Sequence, residues 1–244
     1  MIKRKTYLIT GVSGDIGIAI AKKLIQDKSN IICCLRKKNQ KYKKFFKKNK
    51  KFISLELIFD INNYKEVDKA IYKIKEKKIN INGLINSAGI ATGSIFEMTQ
   101  IKKIKEVFDT NFFSLLYLTQ KILPLLKYNK TNHIINISSV SGIIAQRGNI
   151  AYGASKASLI YSTKVLANEL ANYNIRVNAI APHITKSKML RLMSATKKKE
   201  LKNQSFMKKE CSVEDISETV SFLLSKKSNY INGQIIRLDG GMEN

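Results

Sequence analysis

Between Thr6 and Leu24 the chain reads TYLIT, then GVSGDIG, then IAIAKKL, and few backbone arrangements accept that succession. Thr6 to Thr10 is a short apolar run of the kind that parallel sheets bury on both faces. The turn after it carries Gly11, Gly14 and Gly17 and opens a helical pattern with apolar positions at Ile16, Ala19, Ile20 and Leu24. Strand, glycine turn and helix N-terminus in that order cradle a pyrophosphate with backbone N–H groups and the helix dipole. A glycine-rich turn alone is a weak signal, and its place between strand and helix is what gives it weight.

The alternation continues along the chain. Strand patterns at Asn30 to Leu35, Phe52 to Phe59, Gly83 to Asn86, Ile134 to Ile137, Arg176 to Ala181 and Gln234 to Asp239 are separated by helical ones. The helical stretches are Tyr64 to Lys78, Thr99 to Leu126 (interrupted at Asn111 and expected to break at Pro124), a long one opened by Tyr152, and Ser212 to Leu224. This predicts an α/β fold: a single doubly wound parallel sheet of the Rossmann type with helices on both faces, forming one domain over residues 1–244. Ligands of such sheets sit at the carboxyl ends of the strands. Arg36, Asp60, Asn86 to Gly89 and Ser139 all fall just after strands and are expected on one edge. At the end of the second strand an acidic residue would bond a free ribose 2′-hydroxyl, whereas an arginine accommodates a 2′-phosphate. Leu35 and Arg36 leave no acid there, which favours NADP(H); the plainer alternative is that Arg36 is one more surface base.

The stretch from His133 to Asn172, opening HIINISSVSGIIAQRGNIAYGASK, holds a complete proton-handling set. Tyr152 and Lys156, four apart, share a helix face. Spacing alone proves little: with 10 tyrosines and 44 Lys and Arg among 244 residues, about two such pairs arise by chance, and two are present. Tyr117 and Lys121 lie inside the apolar pattern LLYLTQKILPLL and read as a core-flanking tyrosine with a solvated lysine. Tyr152 instead follows a strand and a glycine loop, among small residues that leave room for a ligand. An adjacent ammonium is expected to draw the phenol toward a useful pKa, while the Ser139 hydroxyl holds a carbonyl oxygen for protonation.

Lys and Arg outnumber Asp and Glu 44 to 18, giving a formal charge of +26. The excess is spread along the whole length, which argues against a nucleic-acid surface. Its densest run, Lys37 to Lys51, reads as an amphipathic helix with a solvated basic face; a single-strand binder is the alternative. No apolar run approaches the roughly 18 residues of a membrane span, and the N-terminus enters a strand without a signal-peptide core. A cytoplasmic protein is expected. Three cysteines without a C-x-x-C pair and two histidines predict reduced structural thiols and no metal site. The lysine-rich segment after Pro182, to about Lys209, has weak periodicity and is expected to be a mobile lid over the substrate.

Taken together, the ordered motifs resemble the short-chain dehydrogenase/reductase family over essentially the whole chain. Thr10-Gly11 through Gly17 is similar to its cofactor turn and Asn86-Ser87-Ala88-Gly89 to its N-N-A-G motif. INISSVSG with Tyr152 and Lys156 resembles its active site, and Ala181-Pro182 and Leu238-Asp239-Gly240-Gly241 its later motifs. The resemblance implies Asn111, Ser139, Tyr152 and Lys156 as the catalytic set, with Asn111 holding a water of the proton relay and Ser139 preferred to Ser138. It implies cofactor contacts at Gly11, Ser13, Gly14, Ile16, Gly17, Arg36, Asn86, Ala88, Gly89 and Tyr152, adenine contacts at Asp60 and Ile61, a nicotinamide-ribose contact at Lys156 and an amide contact at Thr185. Within the family the chain is most similar to 3-oxoacyl-acyl-carrier-protein reductases. That implies NADPH-dependent reduction of a 3-oxoacyl thioester in fatty acid biosynthesis, acyl carrier protein as a partner, and a homotetramer. A sugar or other small carbonyl compound is the alternative substrate; a non-catalytic NADP-binding regulator and a nucleic-acid binder are the readings outside enzymes. The chain departs from the family pattern at Asp15, in place of the turn's middle glycine with a carboxylate expected to point away, and at His183, in place of the glycine of Pro-Gly. Lys130 fits a carrier-docking base, whereas Tyr173 stands where an arginine is expected.

Overall fold

Every strand expected from the sequence forms, and each runs parallel to its neighbours. The computed structural model describes residues 4–127, 132–186 and 195–242. Its strands are β1 (Thr6–Thr10), β2 (Asn30–Leu35), β3 (Ile53–Ile58), β4 (Gly83–Asn86), β5 (Asn132–Ile137), β6 (Ile175–Pro182) and β7 (Ile235–Leu238). They form one seven-stranded sheet in the order β3-β2-β1-β4-β5-β6-β7. The helices are α1 (Asp15–Gln26), α2 (Gln40–Asn49), α3 (Tyr64–Glu76), α4 (Ile101–Phe108), α5 (Ser114–Leu126), α6 (Ile150–Glu169), α7 (Ala195–Asn203) and α8 (Val213–Leu224).

Alternate strand residues supply two separate cores, as the period of 2 requires. Tyr7, Ile9, Ile31, Cys33, Ile85 and Ile135 pack under α1, α2 and α8. Leu8, Ile32, Cys34, Leu84 and Ile134 face the other way, against α3, α5 and α6. The basic run forms α2 as expected, with Tyr42 and Phe45 buried among solvated lysines. Asn39 caps it, as Asn63 caps α3 and Ser212 caps α8 in a full capping box with Asp215.

Two details of the Thr99 to Leu126 stretch were not expected. Residues Asp109–Phe113 form a π-helical turn between α4 and α5, with Asn111 fully buried in it. Pro124, expected to break the helix, lies inside α5, which runs on to Leu126. In the last turn its ring costs a single backbone bond, too little to end the helix two residues early.

A buried polar chain joins the layers behind the site. Asn86 Nδ2 donates to Thr119 Oγ1 at 3.1 Å and to Asn136 Oδ1 at 2.9 Å, and Asn136 Nδ2 donates to Thr163 Oγ1 at 2.9 Å. The far, amino edge of the sheet is held by Arg176, which donates to Ile231 O and Leu223 O and meets His133 Nδ1 at 3.0 Å. Burial, then the cations Arg176 and Lys5, push the His133 imidazole down to about 3, so it is a neutral acceptor.

Candidate active site

The carboxyl edge of the sheet assembles the site from the loops that follow its strands. Gly11 turns the chain at a φ of +68°, and a Cβ on Gly17 would lie 2.4 Å from Gly11 O, so only glycine lets the helix start this close to the strand. Unlike α2, α3 and α8, helix α1 has no side-chain cap, leaving its first-turn N–H groups directed at the edge. The Asp15 carboxylate is paired with Lys41 of α2 and so points away from the turn. Asn39 ties the same helix to the turn, donating to Ser13 O at 2.8 Å.

Thr10 fixes the next loop: its hydroxyl accepts from Ser87 N and Ala88 N, both at 2.9 Å. Asn111 fixes the residue beyond. Its amide donates to Ile90 O at 2.9 Å and to Ser155 Oγ at 3.0 Å, while Oδ1 accepts from Ile90 N at 2.8 Å. The π turn is what aims this side chain inward, a common use of such turns at functional sites. A methyl group on Gly89 would lie 3.1 Å from Asn111 Oδ1 and 3.5 Å from Lys156 Nζ, so the three positions converge.

Beyond β5 the two serines divide. Ser138 donates to Lys156 O at 3.0 Å, whereas the Ser139 hydroxyl accepts from Ser141 N at 3.2 Å and faces the cavity beside Tyr152. A Cβ on Gly153 would meet Ser141 O at 2.6 Å, so glycine there lets the serine loop lie flush against α6. Burial raises the Tyr152 pKa, and the nearby Ser139 hydroxyl partly opposes it. The Lys156 ammonium sits 5.8 Å over the phenol ring centroid and donates to Ile137 O at 2.9 Å; burial lowers its pKa to about 8. The expectation that the lysine draws the phenol down is therefore not met in this geometry: the ammonium lies over the ring, and desolvation dominates.

These groups border a cavity of about 470 Å³, whose walls include Ile16, Ile90, Ser139, Tyr152, Thr185 and Leu201. Arg36, Asp60 and Ile61 lie outside it, along the same edge. Arg36 is exposed after β2, Asp60 Oδ1 accepts from Asn62 N at 2.9 Å in a turn, and Ile61 packs on the second core. Asn86 ends β4 at this edge, and its side-chain Nδ2 donates into the buried chain behind the site. Sequence reasoning missed Ile90, Arg147 and Leu201 as wall residues. Ile90 directly follows the Asn86 to Gly89 motif and Arg147 lies in the loop between Ser139 and Tyr152, so both could have been found, whereas Leu201 arrives by long-range packing. Tyr117 flanks the second core as expected and stacks on Tyr64 at 4.1 Å, and both Tyr117 and the half-exposed Lys121 contact Asp68 of α3. Lys130 and the part of the expected lid at 187–194 lie outside the described residues.

Comparison with known proteins agrees with this construction. A family profile described as enoyl-(acyl carrier protein) reductase matches residues 11–243. A 3-oxoacyl-(acyl-carrier-protein) reductase of Buchnera aphidicola subsp. Schizaphis graminum is 32% identical, covering 99% of this chain and 98% of its own. An acetoacetyl-CoA reductase of an Acinetobacter species is 30% identical over 99% of both chains. The solved structure of ElxO with NADP bound superposes with a TM-score of 0.88 at 26% identity, covering 98% of each chain. The chain belongs to the short-chain dehydrogenase/reductase family. It is an oxidoreductase acting between a carbonyl and an alcohol. The family's nicotinamide cofactor fits this edge: the uncapped N-terminus of α1 suits a pyrophosphate, and Gly89, Lys156 and Thr185 border the cavity where the reacting end would lie. Among the described residues, no helix is long and apolar enough to cross a membrane.

Proposed function

We propose that the protein reduces a 3-oxoacyl thioester to the 3-hydroxyacyl thioester with NADPH, taking its substrate from acyl carrier protein. The observation that carries this reading is that Ser139, Tyr152 and Lys156 meet on the wall of one cavity, which Ile16, Ile90, Ile184 and Leu201 also line. Bound NADPH supplies the hydride. Ser139 Oγ holds the ketone oxygen, and Tyr152 Oη gives it a proton as charge develops there. Lys156, anchored on Ile137 O, adds a nearby positive charge and would hold the cofactor's ribose. Asn111 fixes Ile90 by both backbone groups and keeps an acceptor lone pair for a relay water. The exposed guanidinium of Arg36, with no acid beside it, suits a 2′-phosphate. Names of the relatives favour acyl thioesters over sugars. We also propose a homotetramer, for which α4 and α6 leave Ile101 and Tyr161 exposed.

NADPH oxidation by the wild type and Tyr152→Phe, measured with acetoacetyl thioesters on carrier protein and coenzyme A beside a panel of sugar ketones, tests this. The variant should lose about a hundredfold or more in turnover while still binding NADPH, and near-normal activity would refute the mechanism. Preference for sugars would move the substrate. Repeating the assay on Arg36→Ala with NADPH and NADH tests the cofactor choice, since equal losses on both would return Arg36 to the surface.

A further inference from the structure

Helix α7 borders the cavity through Leu201, and its Lys202 pairs with Glu210 at 2.9 Å. It is nine residues long, ATKKKELKN, below the length at which a helix is stable alone in water. Among its described side chains only Leu201 is buried, and that packs in a two-residue cluster with Ile184. Its last carbonyls need partners like those of any helix end. Ser205 N serves Lys202 O at 3.2 Å. His183 Nε2 serves Leu201 O at 2.9 Å. A carbonyl can only accept, so Nε2 carries the hydrogen and the imidazole is a side-chain cap at the negative end of the helix dipole. The ring is presented from a rigid place: His183 N donates to Leu238 O at 3.0 Å at the end of β7, and His183 O accepts from Thr185 Oγ1 at 3.1 Å. His183 and Leu201 both face the cavity.

We propose that His183 is a positioning residue that sets substrate affinity: its Nε2–H pins α7 at the cavity and takes no part in proton transfer. This rests on the carbonyl-reducing site described above but not on the identity of its substrate. The test compares the intact wild type with His183→Ala and His183→Gln, glutamine being able to offer an amide N–H to the same carbonyl. With acetoacetyl-CoA, His183→Ala should raise KM about tenfold with kcat within about twofold, the scale of one lost hydrogen bond, and His183→Gln should recover most of it. NADPH affinity by fluorescence titration should stay within about twofold in both. Tryptic cleavage after Lys198, Lys199 and Lys202 should speed up in His183→Ala and return toward the wild-type rate in His183→Gln. Cleavage needs no substrate, so it decides the point even if the thioester assignment fails. Unchanged KM and cleavage in His183→Ala would overturn the proposal, as would a fall in kcat at constant KM. A glutamine variant as impaired as alanine in both readouts would also overturn it, because the donor would then not be what matters.

Discussion

Lys156 is a buried amine whose charge the fold tolerates at a cost. Its nitrogen has one backbone acceptor, Ile137 O, and its pKa falls from the ordinary 10.5 to about 8. Because the folded value lies below the unfolded one, the unfolded chain binds the proton more tightly between them. Stability from this group is thus complete above about pH 10.5 and lost as pH falls through 8. The unfolding free energy of the wild type, less that of Lys156→Met, should rise with pH across that window by up to about 3 kcal/mol. Urea titrations of the cofactor-free protein at pH 7 to 10.5 check it; a flat difference would mean that the amine is neutral or solvated. A residue that weakens the empty protein in this way is of the kind kept for chemistry, and methionine there should give a sturdier protein with poor turnover.

At the scale of elements, α2 separates what holds the fold from what surrounds it. Tyr42 is fully buried with its hydroxyl on Glu56 Oε1 at 2.8 Å, and Phe45 is 4% exposed, while Lys44, Lys47 and Lys48 face solvent. Phe45→Ala should cost about 3 to 5 kcal/mol in denaturant unfolding. The triple change of those lysines to Gln should stay within about 1 kcal/mol, by the same measurement. A large loss in the triple variant would make the basic face structural. This helix was legible because its period of 3.6 survives a biased composition, and the strands were legible because burial on both faces leaves unbroken apolar runs. The reactive set was legible too: Ser139, Tyr152 and Lys156 follow one strand and one turn, so local geometry nearly determines their meeting. What escaped depends on distant partners. Nothing near Asn111 announces a π turn, nothing near Thr10 says that its hydroxyl will hold the Ser87 and Ala88 amides, and His183 meets Leu201 across a segment without clear periodicity. The direction of the Asn86 side chain was not legible either, because a motif names a position without saying which way the side chain turns.

Across the whole molecule, charge and exposed apolar surface oppose each other. A formal charge of +26 repels a second copy, while Tyr161, 72% exposed, and Ile101, 62% exposed, invite one. Association should therefore tighten as salt screens the repulsion. Sedimentation should find a tetramer whose dissociation falls with added salt, and Tyr161→Glu should shift it to smaller species with unchanged circular dichroism. A wild type that stays monomeric at every salt concentration would remove the assembly from the proposal. The two cores also carry an unplanned label. Cys33 and Cys34 are adjacent in β2, both free and buried, yet one sulfur belongs to the layer under α1 and α8 and the other to the layer under α3 and α5. Loosening of one layer bares one thiol and leaves its neighbour sealed, so the pair keeps separate records, within a single dipeptide, of which side of the sheet has opened.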